Sequence, residues 1–182
     1  MTAAKKTSPS WSDVKAKLAD VDRSGLLGLL QDLYAASKEN KAFLHARFTL
    51  GENVLKPYKA TIDRWLNPDV FKNQSTSIAK AKKAVSDYNK AIGKAEGLAE
   101  LTVFFCERAS SFSNDIGLQD ENYFHSLLYM FEQALKIIAT LPEPERPLFW
   151  ARLVQVCRVS HNLGYGVGDN MSDLLAQYDF NH

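Results

Sequence analysis

Apolar residues recur three and four positions apart along most of the chain, which is the spacing that places them on one face of an α-helix. The segment GLLGLLQDLYAAS shows this spacing clearly, because its apolar face is formed by Leu26, Leu29, Leu30 and Leu33. No alternating strand pattern with an Asn-Gly or Asp-Gly turn is present in the sequence. The pattern therefore predicts an all-α protein.

Polar, glycine-containing and proline-containing stretches divide this pattern into about eight or nine helices. The stretches read TLGEN, NPD, NQSTS, GKAEG and LPEPERP. The residues that we expect to begin or end helices are Ser10, Ser24, Ser37 or Asn40, Asn53, Thr76 or Ser77, Gly117, Asp120 and Pro147. Short links favour antiparallel neighbours, and the sequence has no fixed repeat period. We expect an irregular bundle or a short array of antiparallel helical hairpins.

The length of 182 residues suits one domain. We expect residues 1–10 to form a flexible N-terminal tail and residues 11–182 to form a single α-helical domain. The breaks at 67–76 are a possible boundary between two subdomains that share one core.

Composition narrows the functional classes. Hydrophobic residues make up 46% of the chain, which is enough for a packed core. The net charge of +1 argues against generic nucleic-acid binding, which needs a basic excess. No apolar run is long enough to span a membrane and no signal peptide is present, so we expect a cytoplasmic protein. Cys106 and Cys157 lie in apolar helical patterns and are expected to be reduced thiols.

Four blocks of the sequence carry a resemblance to a known family. They read SGLLGLLQDLYAASKENKAFLHARF, SIAKAKKAVSDYNKAIG, ENYFHSLLYMFEQALKII and GYGVGDNMSDLL. In this order they resemble an uncharacterised family of small all-helical bacterial proteins, over about residues 18–178. The resemblance implies an all-helical bacterial protein with a domain of unknown function. It implies no activity and no functional residue.

A lysine stripe is the first candidate site. At about 100° per residue, its four members fall on one side of the helix that follows NQSTS, and they are Lys80, Lys83, Lys90 and Lys94. The stripe could bind phosphate groups or an acidic partner, and Lys56, Lys59 and Arg64 could extend it. The alternative is a solvated helix face interrupted by Asp87.

The stretch RVSHNLGYGVGDNMSDLL is the second candidate. Its Gly164, Gly166 and Gly168 have no preceding strand and no following lysine, so a nucleotide loop is excluded. Either Gly164 ends a helix and Asp169 or Asn170 caps the next one, or a continuous helix uses the glycines for close packing. We favour the break, because three glycines inside a helix cost about 3 kcal/mol.

Acid–base or metal chemistry, if the chain performs any, is expected from His161, Asp169 and Asp173 in this stretch, with Glu107 or Asp115 as further candidates. The polar residues 107–125 match no metal-binding spacing, so a capped and solvated helix turn is the simpler interpretation there. We expect no metal and no cofactor.

We therefore expect a non-enzymatic helical module for protein–protein interaction or regulation, with a protein partner or self-association, and no membrane. An acid–base or metal-dependent enzyme using His161, Asp169 and Asp173 is one alternative. Weak nucleic-acid binding through the stripe from Lys80 to Lys94 is the other.

Overall fold

The predicted all-α class is confirmed. The structure is a computed structural model that describes residues 8–48, 50, 53–68 and 74–178, and no strand occurs in these ranges. They contain nine α-helices, within the predicted number, and one 3₁₀ turn at Glu143–Glu145. The helices are α1 Trp11–Leu18, α2 Arg23–Ala36, α3 Lys38–Arg47, α4 Lys56–Leu66, α5 Ile78–Ala91, α6 Ala95–Ile116, α7 Glu121–Ala139, α8 Arg146–Val159 and α9 Val167–Gln177.

Local capping chemistry explains most of the helix boundaries. The Asp120 carboxylate accepts a hydrogen bond from Tyr123 N at 3.0 Å at the start of α7. Gly117 ends α6 with φ of 61°, a conformation that favours glycine. The expected cap at Ser24 is wrong. Asp22 caps α2 instead, since its Oδ1 accepts from Gly25 N at 2.7 Å and the helix already begins at Arg23.

Helix α6 begins earlier than the sequence suggested. The stretch GKAEG was interpreted as a turn, but α6 starts at Ala95 and includes Gly97. The Tyr88 hydroxyl of α5 occupies the space where a Cβ of Gly97 would lie. The glycine is therefore used for close packing between α5 and α6 rather than for a break.

The chain divides into two compact units, Met1–Leu44 and His45–His182, which we call the N-terminal unit and the C-terminal unit. The boundary considered at 67–76 lies partly outside the described residues, because 69–73 are not described. The helices on either side of that stretch, α4 and α5, both belong to the C-terminal unit.

The C-terminal unit is built around α6. This helix packs against α4, α5, α7 and α8, and α9 packs against α7 and α8. The largest fully buried side chains include Phe105 of α6, Phe124 and Phe131 of α7, and Leu153 of α8. Burial of these apolar side chains is the main stabilising contribution to the unit.

Both cysteines are free thiols, as expected. Cys106 is fully buried in α6, and burial raises the pKa of its thiol, so the reactive thiolate is disfavoured. No helix among the described residues is both long enough and apolar enough to cross a membrane.

Candidate interaction surface

The leucine face of α2, which we define as Leu26, Leu29, Leu30 and Leu33, is exposed. Leu33 keeps 55% of its surface accessible, and none of the residues of α2 is buried. The helix is held locally at its C-terminal end. Ser37 Oγ accepts from Asn40 N at 3.0 Å, and Asn40 Nδ2 donates to the Leu33 carbonyl at 2.6 Å. Local hydrogen bonds therefore stabilise the end of α2, whereas burial of its side chains contributes little.

Exposure of apolar side chains extends through the described part of the N-terminal unit. None of its described residues, 8–44, is buried. Its exposed large apolar residues, which we call the apolar set, are Trp11, Val14, Leu26, Leu27, Leu29, Leu30, Leu33 and Phe43. Trp11 alone keeps 69% of its surface accessible. Isolated exposed leucines are ordinary in proteins, whereas a concentration of exposed apolar side chains is typical of interaction sites in general.

The charges of the same segment are balanced. Residues 8–44 contain five basic and five acidic side chains, so their net charge is zero. Within α2 the charged residues are Arg23 and Asp32. A neutral, apolar surface has no preference for a strongly basic or strongly acidic partner. Such a surface can bind another apolar surface, because the contact removes the apolar side chains of both from water.

A different kind of surface occurs in the C-terminal unit, where four charged side chains form a network between α4, α6 and α8. Arg152 Nε and Nη2 donate to the two carboxylate oxygens of Glu107 at 2.7 and 2.8 Å. Arg152 Nη1 donates to Glu100 at 2.5 Å, and Lys59 Nζ donates to the same carboxylate at 2.5 Å. The network links three helices through paired charges.

Electrostatics in this network favour the charged forms. Burial by itself raises the pKa of Glu100, but hydrogen bonds from Arg152 and Lys59 outweigh it and lower the pKa below its ordinary value. The hydrogen bonds to Glu107 and Glu100 raise the pKa of Arg152. A lowered pKa at Glu100 and a raised pKa at Arg152 keep both side chains charged, which is typical of structural ion pairs rather than of acid–base catalysis.

A shallow groove of about 250 Å³ lies beside this network. Phe104 lines it, with the Lys59 ammonium and the Arg108 guanidinium each 5.1 Å from the ring centroid. Arg108 Nε lies 3.0 Å from Asp63 Oδ1, so two of the cations in the groove are already paired with acids. Lys56 is the cation in the groove without an acidic partner among the described residues. One unpaired lysine does not distinguish the groove from an ordinary polar surface.

Lys80, Lys83 and Lys90 of the lysine stripe lie on α5, and their charges are partly occupied. The placement of Lys94 on the same helix is wrong, because α5 ends at Ala91 and Lys94 stands at the N-cap of α6. Lys80 Nζ lies 3.9 Å from the Trp65 ring centroid, and Lys83 Nζ pairs with Asp87 at 2.5 Å. Lys90 and Lys94 are exposed. Asp87 interrupts the stripe as the sequence indicated.

The proposed extensions of the stripe go to other partners. Lys59 faces Glu100, and Arg64 lies over the same Trp65 ring as Lys80, at 4.6 Å. Of these two cation–π contacts, that of Lys80 joins α5 to α4, whereas Arg64 and Trp65 both lie on α4. Nothing in these contacts selects a phosphate group.

The glycine-rich stretch is a helix break, as favoured from the sequence, but its details differ. Helix α8 ends at Val159, five residues before Gly164, and Gly166 rather than Asp169 or Asn170 stands at the N-cap of α9. Gly166 has φ of 67°. The interpretation as one continuous helix is wrong, because the turn needs backbone angles that an α-helix does not contain.

Close packing also occurs in this stretch. A Cβ on Gly168 would lie 2.6 Å from the His161 Cα, so α9 can approach the preceding turn only because residue 168 lacks a side chain. Tyr165 has φ of 59°, which is unusual for a residue other than glycine, and its ring contacts Phe124 with centroids 5.8 Å apart. The glycines therefore allow the backbone angles and the close packing of this turn, and the backbone of Tyr165 is strained.

The three polar residues of this stretch do not form a metal site. His161, Asp169 and Asp173 are all exposed, and no group of three or more His, Cys, Asp or Glu side chains in the described ranges is placed to hold a metal ion. Asp169 and Asp173 lie on α9, whereas His161 lies in the turn before it.

The polar residues between 107 and 125 are likewise dispersed. Glu107 pairs with Arg152, and Asp120 caps α7. Asn114 Nδ2 donates to the Val159 carbonyl at 2.8 Å, and His125 lies 3.9 Å from Glu121. These contacts join helices and cap them, which is the simpler interpretation given for this region.

Sequence reasoning missed the Arg152 network. A signal was present, because Glu100 and Glu107 are seven residues apart and therefore lie on one face of a helix. Two acids on the inner side of a long helix indicate a cationic partner on a neighbouring helix. The sequence did not indicate which of the arginines and lysines would be that partner.

Comparison of the chain with models of protein families, with curated proteins and with solved structures gives no match. The resemblance to a family of small bacterial helical proteins stays a prediction. The function is therefore argued from the residues of this chain.

Proposed function

We propose that this chain is a non-enzymatic protein–protein interaction module, and that the apolar set of the N-terminal unit is its binding surface. The observation that supports the proposal is that residues 8–44 contain eight exposed large apolar side chains and no buried residue. Exposed apolar area at this density is unfavourable in water and is removed by association.

The two units have different properties in this proposal. The C-terminal unit has its own core and paired charges, so it acts as the stable body of the protein. The N-terminal unit supplies the binding surface. Trp11 and Phe43 are the kind of aromatic residue that carries much of the binding energy in protein interfaces. We also propose that the protein acts in the cytoplasm. The two free thiols support this location, because cysteines stay reduced there.

The two alternative functions have less support. His161, Asp169 and Asp173 are exposed and belong to no metal-binding group among the described residues. In the lysine stripe, Asp87 pairs with Lys83, which lowers the net charge of the surface, and Lys94 lies beyond the end of α5. An interaction module is the function that the described contacts favour.

Site-specific photocrosslinking in cells that express the chain tests the proposal. A photoreactive phenylalanine analogue replaces Leu33 in the leucine face, and in a matched control it replaces Gln31, about 160° away around the same helix. We expect a discrete protein adduct from position 33 that is absent from position 31. Absence of an adduct at 33, or equal adducts at both positions, would contradict the proposal.

A further inference from the structure

We infer that the apolar set is covered by a second copy of this chain, which makes the protein a homodimer through its N-terminal units. This inference rests on the proposed function, because it names the partner of the same surface. It is carried by three properties of residues 8–44, which are their lack of a core, the area they expose and their balance of charge.

The first property is the size of the N-terminal unit. Its 44 residues include three short helical segments, and none of the described residues is buried. Units of about 40 residues usually need a disulfide, a metal or association with another chain to be stable. Neither cysteine lies in this unit, and its described residues include no metal-binding group. Association is the remaining means of stabilising it.

The second property is the exposed area. Leu27 is left out, because it projects about 100° from Leu26 towards the side of Gln31. The exposed fractions of the other seven side chains in the apolar set add up to between three and four complete residues. At ~200 Å² for each large apolar residue, this is about 700 Å² for one copy. Two copies would bury about 1,400 Å², which is within the standard size of a specific protein–protein interface. The available area therefore matches what a dimer between like surfaces requires.

The third property is the charge of the surface. A two-fold dimer brings each charge of a patch close to the same patch on the partner, so a patch with a net charge repels itself. Residues 8–44 carry five charges of each sign, which allows self-pairing without net repulsion. The same balance argues against a membrane surface, since helices that bind lipid interfaces carry many lysines and arginines on their polar face. Helix α2 contains Arg23 as its one basic residue.

The geometry points to α2 packing against α2 of the partner about a two-fold axis. The 14 residues of α2 extend over about 21 Å, which is long enough for its leucine face to meet the same face of the partner along several turns. Such a pair is self-complementary, because Leu29 of one copy contacts Leu33 of the partner subunit and the reverse holds as well. Trp11 and Phe43 would border this seam as anchors.

The test is the molar mass of the full chain by sedimentation equilibrium over a concentration range from about 1 to about 100 μM, since dissociation constants for interfaces of this size are micromolar or lower. We expect twice the monomer mass of 20.4 kDa at the upper end of this range. The double variant Leu29→Asp/Leu33→Asp should keep the monomer mass at every concentration. A matched control, Gln31→Asp/Ala35→Asp, adds the same charges at the same spacing on the opposite side of α2 and should dimerise as the wild type does.

Two results would overturn the inference. One is a wild-type chain that stays at the monomer mass throughout the range, which does not depend on whether any variant folds. The other is equal loss of dimer in both double variants, which would mean that charge on α2 in general, rather than on its leucine face, disrupts association. A monomeric wild type that still gives a position-specific crosslink to a different protein at residue 33 would refute the second copy and retain the interaction function. A monomer with no such crosslink would refute both.

Discussion

Replacing Arg152 by methionine tests whether the charged network of the C-terminal unit stabilises the fold. Methionine keeps most of the length and apolar volume of the side chain and removes the guanidinium. The variant loses the two hydrogen bonds to Glu107, at 2.7 and 2.8 Å, and the two to Glu100, at 2.5 and 3.3 Å. Glu100 keeps Lys59, but Glu107 loses the cation that faces it.

The expected loss of stability follows from how far the network is buried. Breaking a fully buried ion pair costs about 3–5 kcal/mol, and an exposed pair contributes about 0–1 kcal/mol. The side chains of Arg152 and Glu100 are 24% and 20% exposed, so the network lies between these limits. We expect the free energy of unfolding to fall by about 2 kcal/mol at neutral pH.

The loss should depend on pH in a defined direction. The folded-state pKa of Glu100 lies below its ordinary value of 4.5. The contribution of Glu100 to the free energy of unfolding is therefore fully present above the ordinary value and is lost as the pH falls through the folded-state pKa. In the unfolded chain the carboxyl takes up its proton first. The difference in stability between wild type and Arg152→Met should therefore be largest near neutral pH and should shrink below about pH 4.

Urea unfolding followed by far-UV circular dichroism measures this difference in stability at two pH values, one near neutral and one below about pH 4. Arg158→Met is the control, because Arg158 lies on the same helix, is exposed and should cost at most about 0.5 kcal/mol. A loss below about 1 kcal/mol for Arg152→Met at neutral pH, or a loss that is the same at both pH values, would refute the account of the network.

Two further predictions concern the turn before α9. Gly168→Ala should destabilise the C-terminal unit by about 1–2 kcal/mol in urea unfolding, since the new Cβ would overlap the His161 backbone, and the gain in helix propensity offsets part of that cost. Gly164→Ala is the matched control and should change stability by less than about 0.5 kcal/mol, because it meets a flexible side chain alone, so equal losses in both variants would contradict the close contact. Tyr165→Gly should be about 1 kcal/mol more stable than Tyr165→Ala, because both lose the ring contact with Phe124 but glycine alone relieves the strain at φ of 59°. If the alanine variant is equally stable, the backbone at Tyr165 is not strained.

The elements that the sequence predicted well are those set by local chemistry. Asp120, Gly117 and Ser77 begin or end helices through interactions with residues a few positions away, and these interactions can be identified from neighbouring residues in the sequence. The expected cap at Asn53 is wrong, because Leu55 stands at the N-cap of α4 and Asn53 Oδ1 accepts from Leu55 N in the preceding turn. The start of α6 was missed because the reason lies elsewhere in the chain. Gly97 is helical since it accommodates the Tyr88 hydroxyl, and that contact depends on how two helices pack.

The candidate sites were harder to predict for the same reason. Periodicity identified the leucine face of α2, but it cannot tell whether such a face packs inside the chain or stays available for another chain. The partner of Glu107 is 45 residues away at Arg152, and the contact of Gly168 is with the backbone at His161. Both contacts depend on how the chain folds in space, which cannot be inferred from the spacing of residues along one helix.

Hydrogen exchange of the α2 amides at several protein concentrations tests the central claim most directly. The amides of residues 26–33 belong to a helix with no buried residue, so in a single copy they should exchange rapidly through local unfolding. We expect their protection to increase as the protein concentration rises, while protection of α6 amides, such as that of Phe105, stays constant. Protection of α2 that is the same at every concentration would contradict the claim that the apolar surface of the N-terminal unit is covered by association.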